Sequence, residues 1–218
     1  MYQYVKRILD LFLSFIALVI LVPILIIVAI IIKMESTGPV IFKQDRLGKN
    51  GKIFVIYKFR TMVDNAVQFG AGLNTYDGDP RITKVGRLLR KTSMDELPQI
   101  INIIKGDMSL IGPRPPYPSK PRKYEEYDEV QKRRFSVLPG MTGLAQVKIR
   151  SSAGWDDRIK LDVHYVDNLS FWLDVKIFFQ TIKCILSTEN IYLPEEELKR
   201  ILRNKQIDEQ GAKLDHDA

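Results

Sequence analysis

Apolar and polar positions are distributed very unevenly along the chain. Residues 11–32 read LFLSFIALVILVPILIIVAIII, in which only Ser14 and Pro23 are not apolar. A helix needs ~20 such residues to cross a bilayer core. The run is too long, and too far from a small-residue cleavage site, for a signal peptide. The pattern therefore predicts a membrane-inserted helix. Lys6 and Arg7 precede it and Lys33 follows it. Positive residues beside a membrane segment favour the cytoplasm, and here both flanks carry them. Pro23 removes one helical hydrogen bond and presses on the carbonyl of Val19, which bends a helix. A sharp bend would let the segment enter and leave by one face. The expectation is a proline-broken, re-entrant helix over residues 1–35. A plain spanning helix with a mild kink is the alternative.

Beyond residue 35 the pattern shortens. Two β-rich runs, near residues 40–46 and 52–59, flank Gly48-Lys49-Asn50-Gly51, and Asn-Gly is a strong hairpin signal. Residues 64–80 are rich in Gly and Asp and read as a loop. A basic helical stretch follows over residues 82–91. A second helix runs through Leu97, Ile100, Ile101 and Ile104 to a natural C-cap at Gly106. Residues 109–116 read as rigid loop, 122–135 as a charged helix and 138–143 as a turn. Two further helices are expected at 156–168 and 171–186. The second of these, FWLDVKIFFQTIKCIL, suits either a core or a lipid interface. From Pro194 the chain is charged and reads as a solvated tail. The fold class expected is α+β, mainly helical with a small antiparallel hairpin. Three parts follow: the membrane helix (1–35), a cytosolic domain with interfacial helices (36–193) and the tail (194–218).

Composition narrows the chemistry. The 218 residues carry a net charge of +7 with a pI of about 9.4, so an anionic partner is expected. The single cysteine, Cys184, excludes an internal disulfide framework. Two histidines, His164 and His216, are too few for a histidine-rich metal centre, so oxygen ligands are favoured for any metal. There is no Walker-type loop, and no zinc-finger or RRM signature accompanies the charge. Nucleic acid is not expected as a partner.

The stretch KTSMDELPQ (91–99) places Asp95 and Glu96 side by side. Ser93 and Glu96 have the spacing of a capping box, which would put both carboxylates in a first helical turn. Lys58, Arg60, Arg87, Arg90, Lys91, Arg114, Lys148 and Arg150 lie on segments that could converge on this pair. Arginine forks bind phosphate oxygens, a carboxylate can hold Mg²⁺ against phosphates, and a carboxylate can serve as a covalent nucleophile. A diphosphate substrate suits this set. Taken singly, each arginine is an ordinary surface residue and the carboxylates an ordinary helix start.

Long motifs resolve the choice. The stretches KRILDLFLS (6–14), GPVIFKQDRLGKNGKIFVIYKFRTM (38–62), DPRITKVGRLLRKTSMDELPQIINIIKGDMSLIGPRP (79–115), LPGMTGLAQV (138–147) and LDVHYVDNLSFWLDVKI (161–177) resemble, in order, the small monotopic phosphoglycosyl transferases. The resemblance implies a re-entrant helix, broken at Pro23, seated on the cytoplasmic face of a bacterial inner membrane. It implies transfer of a phosphosugar from a UDP-sugar to polyprenyl phosphate with release of UMP, the first membrane step of exopolysaccharide, capsule, O-antigen or glycoprotein glycan assembly. Asp95 matches the family nucleophile and Mg²⁺ contact, and Glu96 its partner. Arg90 and Arg114 match phosphate-binding arginines, and Gln146 and Arg150 fall in a loop matched to donor contacts. Downstream glycosyltransferases are implied as partners, and a homo-oligomer is left open. The chain departs from the family pattern at Val22, where serine is usual, and at Lys148-Ile149-Arg150, where Asn-Gly-Arg is usual. Two other classes fit the residues alone: a lipid-linked phosphatase using the same carboxylate, and a non-enzymatic basic membrane adaptor.

Overall fold

The computed structural model describes residues 2–68, 72, 75, 76, 78–149 and 154–187. The tail expected from residue 194 lies outside them. Helix α1 (Tyr2–Glu35) is followed by strands β1 (Ile41–Leu47) and β2 (Ile53–Phe59), helices α2 (Lys84–Lys91) and α3 (Ile100–Lys105), and strand β3 (Ser109–Ile111). Helix α4 (Glu129–Lys132), strand β4 (Gly140–Thr142) and helices α5 (Leu144–Ile149), α6 (Trp155–Asp167) and α7 (Phe171–Ser187) complete the order. Helix dominates and the antiparallel hairpin is present, as the sequence implies.

Helix α1 runs without interruption through Pro23, where a break was expected. Its buried residues, Asp10, Ser14, Val28 and Ile32, fall within about 40° of one another on a 3.6-residue helix. The other faces expose Phe12, Phe15, Ile20, Ile27 and many more apolar side chains. The helix therefore rests on the domain by one stripe. At its start, Asp10 accepts from Ser109 Oγ at 2.6 Å, and Arg7 donates to the carbonyl of Ile103 at 2.8 Å. Lys6 pairs with Asp174 of α7 at 2.9 Å, and Tyr2 donates to the same carboxylate at 2.6 Å. At its end, Val28 and Ile32 pack with Phe59 and Leu89, and Glu35 accepts from the amide of Val85 at 3.0 Å. An acidic group at a helix start suits the dipole of α2.

The hairpin pairs Ile41 with Phe59 through Leu47 with Ile53. Its turn puts Asn50 at φ 56 and Gly51 at φ 74, the left-handed conformations that Asn-Gly supplies. Asn102 is fully buried and bonds both the carbonyl of Val55 (2.7 Å) and the amide of Tyr57 (3.0 Å), fastening α3 to β2. Gly106 ends α3 at φ 94, as expected.

Three readings are corrected. Residues 109–111 and 140–142 are not loop and turn but a parallel strand pair. A side chain on Gly140 would fall 2.1 Å from the amide nitrogen of Gly112, so the strands approach closely only as glycine permits. The 122–135 stretch is not one helix but short turns around α4, which Asp128 restarts by accepting from the Gln131 amide. Between these turns Tyr127 and Phe135 point inward against Leu47, Ile159 and Val163. Residues 94–99 form a 3-10 turn preceding α3, and the capping box does not form. Ser93 is left-handed at φ 57 with no side-chain cap, and the Glu96 carboxylate that a capping box would return to it bonds Lys58 and Arg114 instead.

Candidate active site

The 3-10 turn Met94–Gln99 lies against β2 and presents both carboxylates, half-buried, to a cavity of about 1340 Å³. Glu96 Oε1 receives Lys58 Nζ at 2.6 Å and Arg114 Nη2 at 3.4 Å. Burial pushes the Glu96 carboxyl up, but Lys58 and Arg114 outweigh it and hold the group at about 2. Asp95 has no ion pair among the described residues. Burial and the Glu96 charge raise its carboxyl to about 6, against the pull of Lys58, Arg90 and Arg114. Two adjacent carboxylates thus differ in surroundings: one is held as an anion between cations, the other has no ion pair among the described residues and is raised by burial.

Rigid elements hold the cations. Lys58 projects from β2. Arg90 ends α2 and donates from Nε to Thr61 Oγ1 at 2.9 Å. Arg60 is 6% exposed and donates through Nη2 to the carbonyl (2.7 Å) and hydroxyl (2.9 Å) of Ser36, just past α1. Arg114 is fixed through its own carbonyl, which accepts from Arg134 Nη2 at 2.9 Å. That same Nη2 meets Asp162 at 2.6 Å in a fully buried ion pair. Gln146 on α5 lines the cavity and donates to the carbonyl of Met141 at 3.3 Å.

Asp95, Glu96, Lys58, Arg60, Arg90, Arg114 and Gln146 therefore share one cavity. Arg87 is exposed and does not line it, since it occupies the outer face of α2. Arg150 lies outside the described residues. Sequence reading missed Gln44, Arg46 and Tyr117, which also line the cavity. The period-2 alternation of β1 was the available signal. Phe42, Gln44 and Arg46 fall on one strand face, and Phe42 pairs directly with Lys58. Part of the remaining wall is apolar, with Leu9, Leu13 and Ala17 of α1 and Val175, Phe178 and Ile185 of α7 among its lining.

No cluster of three or more His, Cys, Asp or Glu able to enclose a metal occurs among the described residues. The unpaired Asp95 still fits Mg²⁺, which commonly takes one or two carboxylates and draws its other ligands from phosphate and water.

The pattern of the bacterial sugar transferase family matches residues 1–188. The chain belongs to the bacterial sugar transferase family. It is 45% identical over 189 residues, 85% of its length, to a UDP-N-acetylgalactosamine-undecaprenyl-phosphate N-acetylgalactosaminephosphotransferase of Aeromonas hydrophila, of which it covers 44%. It is 42% identical over 187 residues to an exopolysaccharide production protein PSS of Rhizobium leguminosarum, covering 81% of this chain and 92% of the relative. It is 39% identical over 193 residues to a UDP-glucose:undecaprenyl-phosphate glucose-1-phosphate transferase of Caulobacter vibrioides, covering 86% and 72%. The chain spans less than half the length of the Aeromonas relative, and most of the length of the other two relatives.

Proposed function

We propose that the chain transfers a phosphosugar from a UDP-sugar to undecaprenyl or another polyprenyl phosphate, releasing UMP, through a covalent intermediate on Asp95. The observation that carries this reading is the division of the dyad: Glu96 is held by Lys58 and Arg114 while its neighbour stays unpaired at about 6. A carboxylate of raised basicity that is still ionised near neutral pH is a competent nucleophile. One Asp95 oxygen attacks the β-phosphorus, and the bond from that phosphorus to the bridging oxygen breaks. UMP leaves with the bond's electron pair. An acceptor phosphate oxygen then attacks the same phosphorus and Asp95 departs as carboxylate. Phosphoryl transfer needs positioning and charge neutralisation more than covalent assistance. Lys58, Arg60, Arg90 and Arg114 supply the charge. Mg²⁺, held by Asp95 together with substrate phosphate, would add Lewis-acid neutralisation of the diphosphate.

The lipid acceptor explains the rest of the architecture. The apolar wall between α1 and α7 runs into the cationic site, which suits an isoprenoid phosphate. Both ends of α1 touch the one domain, through Ser109 near its start and Val85 near its end. That supports monotopic insertion into one leaflet, with both ends on the cytoplasmic face of the inner membrane. Exposed Phe171, Trp172, Phe178, Phe179 and Leu186 on α7 fit a helix at the lipid interface. The test is a panel of UDP-sugars with polyprenyl phosphate and Mg²⁺, reading UMP and lipid-linked sugar together. Matched amounts of both products are expected from one or a few donors. UMP accompanied by free sugar phosphate would replace the transferase by a hydrolase.

A further inference from the structure

Among the described residues, two of the buried arginines hold a carboxylate and two, Arg60 and Arg46, do not. Arg81 is paired with Asp79 at 2.7 Å, and Arg134 with Asp162 at 2.6 Å. Arg60 grips Ser36 beside α1. Arg46 is 6% exposed, yet every contact it makes is neutral. Its Nη1 donates to the carbonyl of Pro115 at 2.9 Å and its Nη2 to Gln44 Oε1 at 2.8 Å. Its guanidinium lies 3.7 Å from the centroid of the Tyr117 ring. No carboxylate forms an ion pair with it among the described residues, and its Nε is buried with no hydrogen-bond partner. Burial pushes its pKa down to about 10; the Arg114 charge adds to the fall, while Tyr117 and the charge of Glu96 oppose it. A buried cation without a counter-ion is costly to keep. This one lines the same cavity as Asp95, Lys58 and Arg114.

We propose that Arg46 is a phosphate-binding residue for the nucleotide donor, the donor's diphosphate being the direct counter-ion that no ion pair among the described residues provides. The role rests on the transferase reading above. Arg46 belongs to the donor rather than the lipid because of its anchors. It is held by β1 and the Pro115–Tyr117 segment, and β1 is tied to the same segment by the Leu47 amide bonding the Pro116 carbonyl at 2.9 Å. Neither anchor belongs to α1 or α7. Arg60, by contrast, is tied to the residue that follows α1. The Gln44 amide, the Pro115 carbonyl and the Tyr117 ring orient the fork before any ligand arrives, so little side-chain freedom is lost on binding.

The experiment is calorimetric titration of the full-length protein in lipid nanodiscs with UDP and, separately, with uridine. Arg46→Gln is expected to weaken UDP binding about tenfold to hundredfold, the worth of one lost charge-assisted contact, and to leave uridine binding unchanged. Arg46→Lys keeps the charge but loses the planar fork, and should weaken UDP about threefold to tenfold. It also decides the matter if Arg46→Gln does not fold. UDP affinity equal to wild type in the folded variants would overturn the assignment. Equal loss for UDP and uridine would overturn it too, by showing a merely structural role. A wild-type protein that binds no UDP would instead remove the donor reading itself, and Arg46 with it.

Discussion

Lys58 Nζ reaches Glu96 Oε1 at 2.6 Å across the cavity wall, and that contact leaves Asp95 as the dyad's free carboxylate. Strand β2 thus sorts the roles of two residues adjacent in sequence. In Lys58→Met, Glu96 loses its first cation and a half-buried carboxylate is left under-compensated. Transfer is expected to fall at least ~10²-fold, with stability lowered by about 1–3 kcal/mol. Initial rates and thermal melts of the purified variant check both.

On the proposed mechanism Asp95 must be ionised to attack. With its carboxyl raised to about 6, the acid limb of the pH–rate profile should turn near pH 6, falling about tenfold per unit below it. A rate that stays flat down to pH 4.5 would contradict a raised Asp95 carboxyl. Initial UMP release between pH 4.5 and 8 at sub-saturating donor, which follows kcat/KM and so the free protein, reads this directly.

The same shift has a stability consequence of known sign. A carboxyl raised on folding favours the folded state while protonated, and that advantage is lost as pH rises through about 6. Asp95→Asn should therefore melt a few degrees above wild type at pH 7.5, with the gap closing towards pH 4. Glu96 is the opposite case. The stability it draws from Lys58 and Arg114 is present above its unfolded pKa and is lost only as pH falls towards about 2. Differential scanning fluorimetry across pH separates the two.

Arg134 and Asp162 form an ion pair of which each member is 1% exposed, and Arg134 also holds the Arg114 carbonyl. Removing one partner strands a buried charge, at a cost of about 3–5 kcal/mol. Arg134→Met is expected to lower the melting point by roughly 10 °C. In the fraction that folds, kcat should drop about tenfold because Arg114 loses its anchor. Unchanged kcat in folded protein would confine the pair to stability.

Much of this organisation is legible along the chain, for identifiable reasons. The apolar run of α1, the Asn-Gly hairpin and the Gly106 cap are local signals, and each appears where the sequence places it. The β3–β4 pair is not legible, because three-residue parallel strands depend on glycine contacts about thirty residues apart (Gly112 with Gly140). The Ser93–Glu96 spacing misleads for the same reason: the partners that claim Glu96, Lys58 and Arg114, are distant in sequence. Charge and segment order, without a strand face, do not separate exposed Arg87 from the cavity and do not bring Arg46 into it. Helix α1 continues through Pro23 although Pro23 is exposed and the buried contacts of the helix lie on either side of it, at Asp10 and Ser14 and at Val28 and Ile32.

Membrane topology can be tested independently of chemistry. Single cysteines replacing Gln3 and Thr37, in a Cys184→Ser background, flank the apolar run. Both are expected to resist a membrane-impermeant thiol reagent in intact spheroplasts and both to react in inverted vesicles. Labelling of only one site in each preparation would make α1 a spanning helix.

The central claim is that Asp95 itself takes the phosphosugar. The most direct measurement is intact-protein and peptide mass spectrometry after incubation with the preferred UDP-sugar and Mg²⁺, with no lipid acceptor present. The account predicts UMP release approaching one equivalent per enzyme, a mass gain of one sugar phosphate on the peptide containing Asp95, and loss of that mass when polyprenyl phosphate is added. Asp95→Asn should show neither the adduct nor turnover. Turnover retained in Asp95→Asn, or UMP formed only when the acceptor is present and with no adduct, would contradict it.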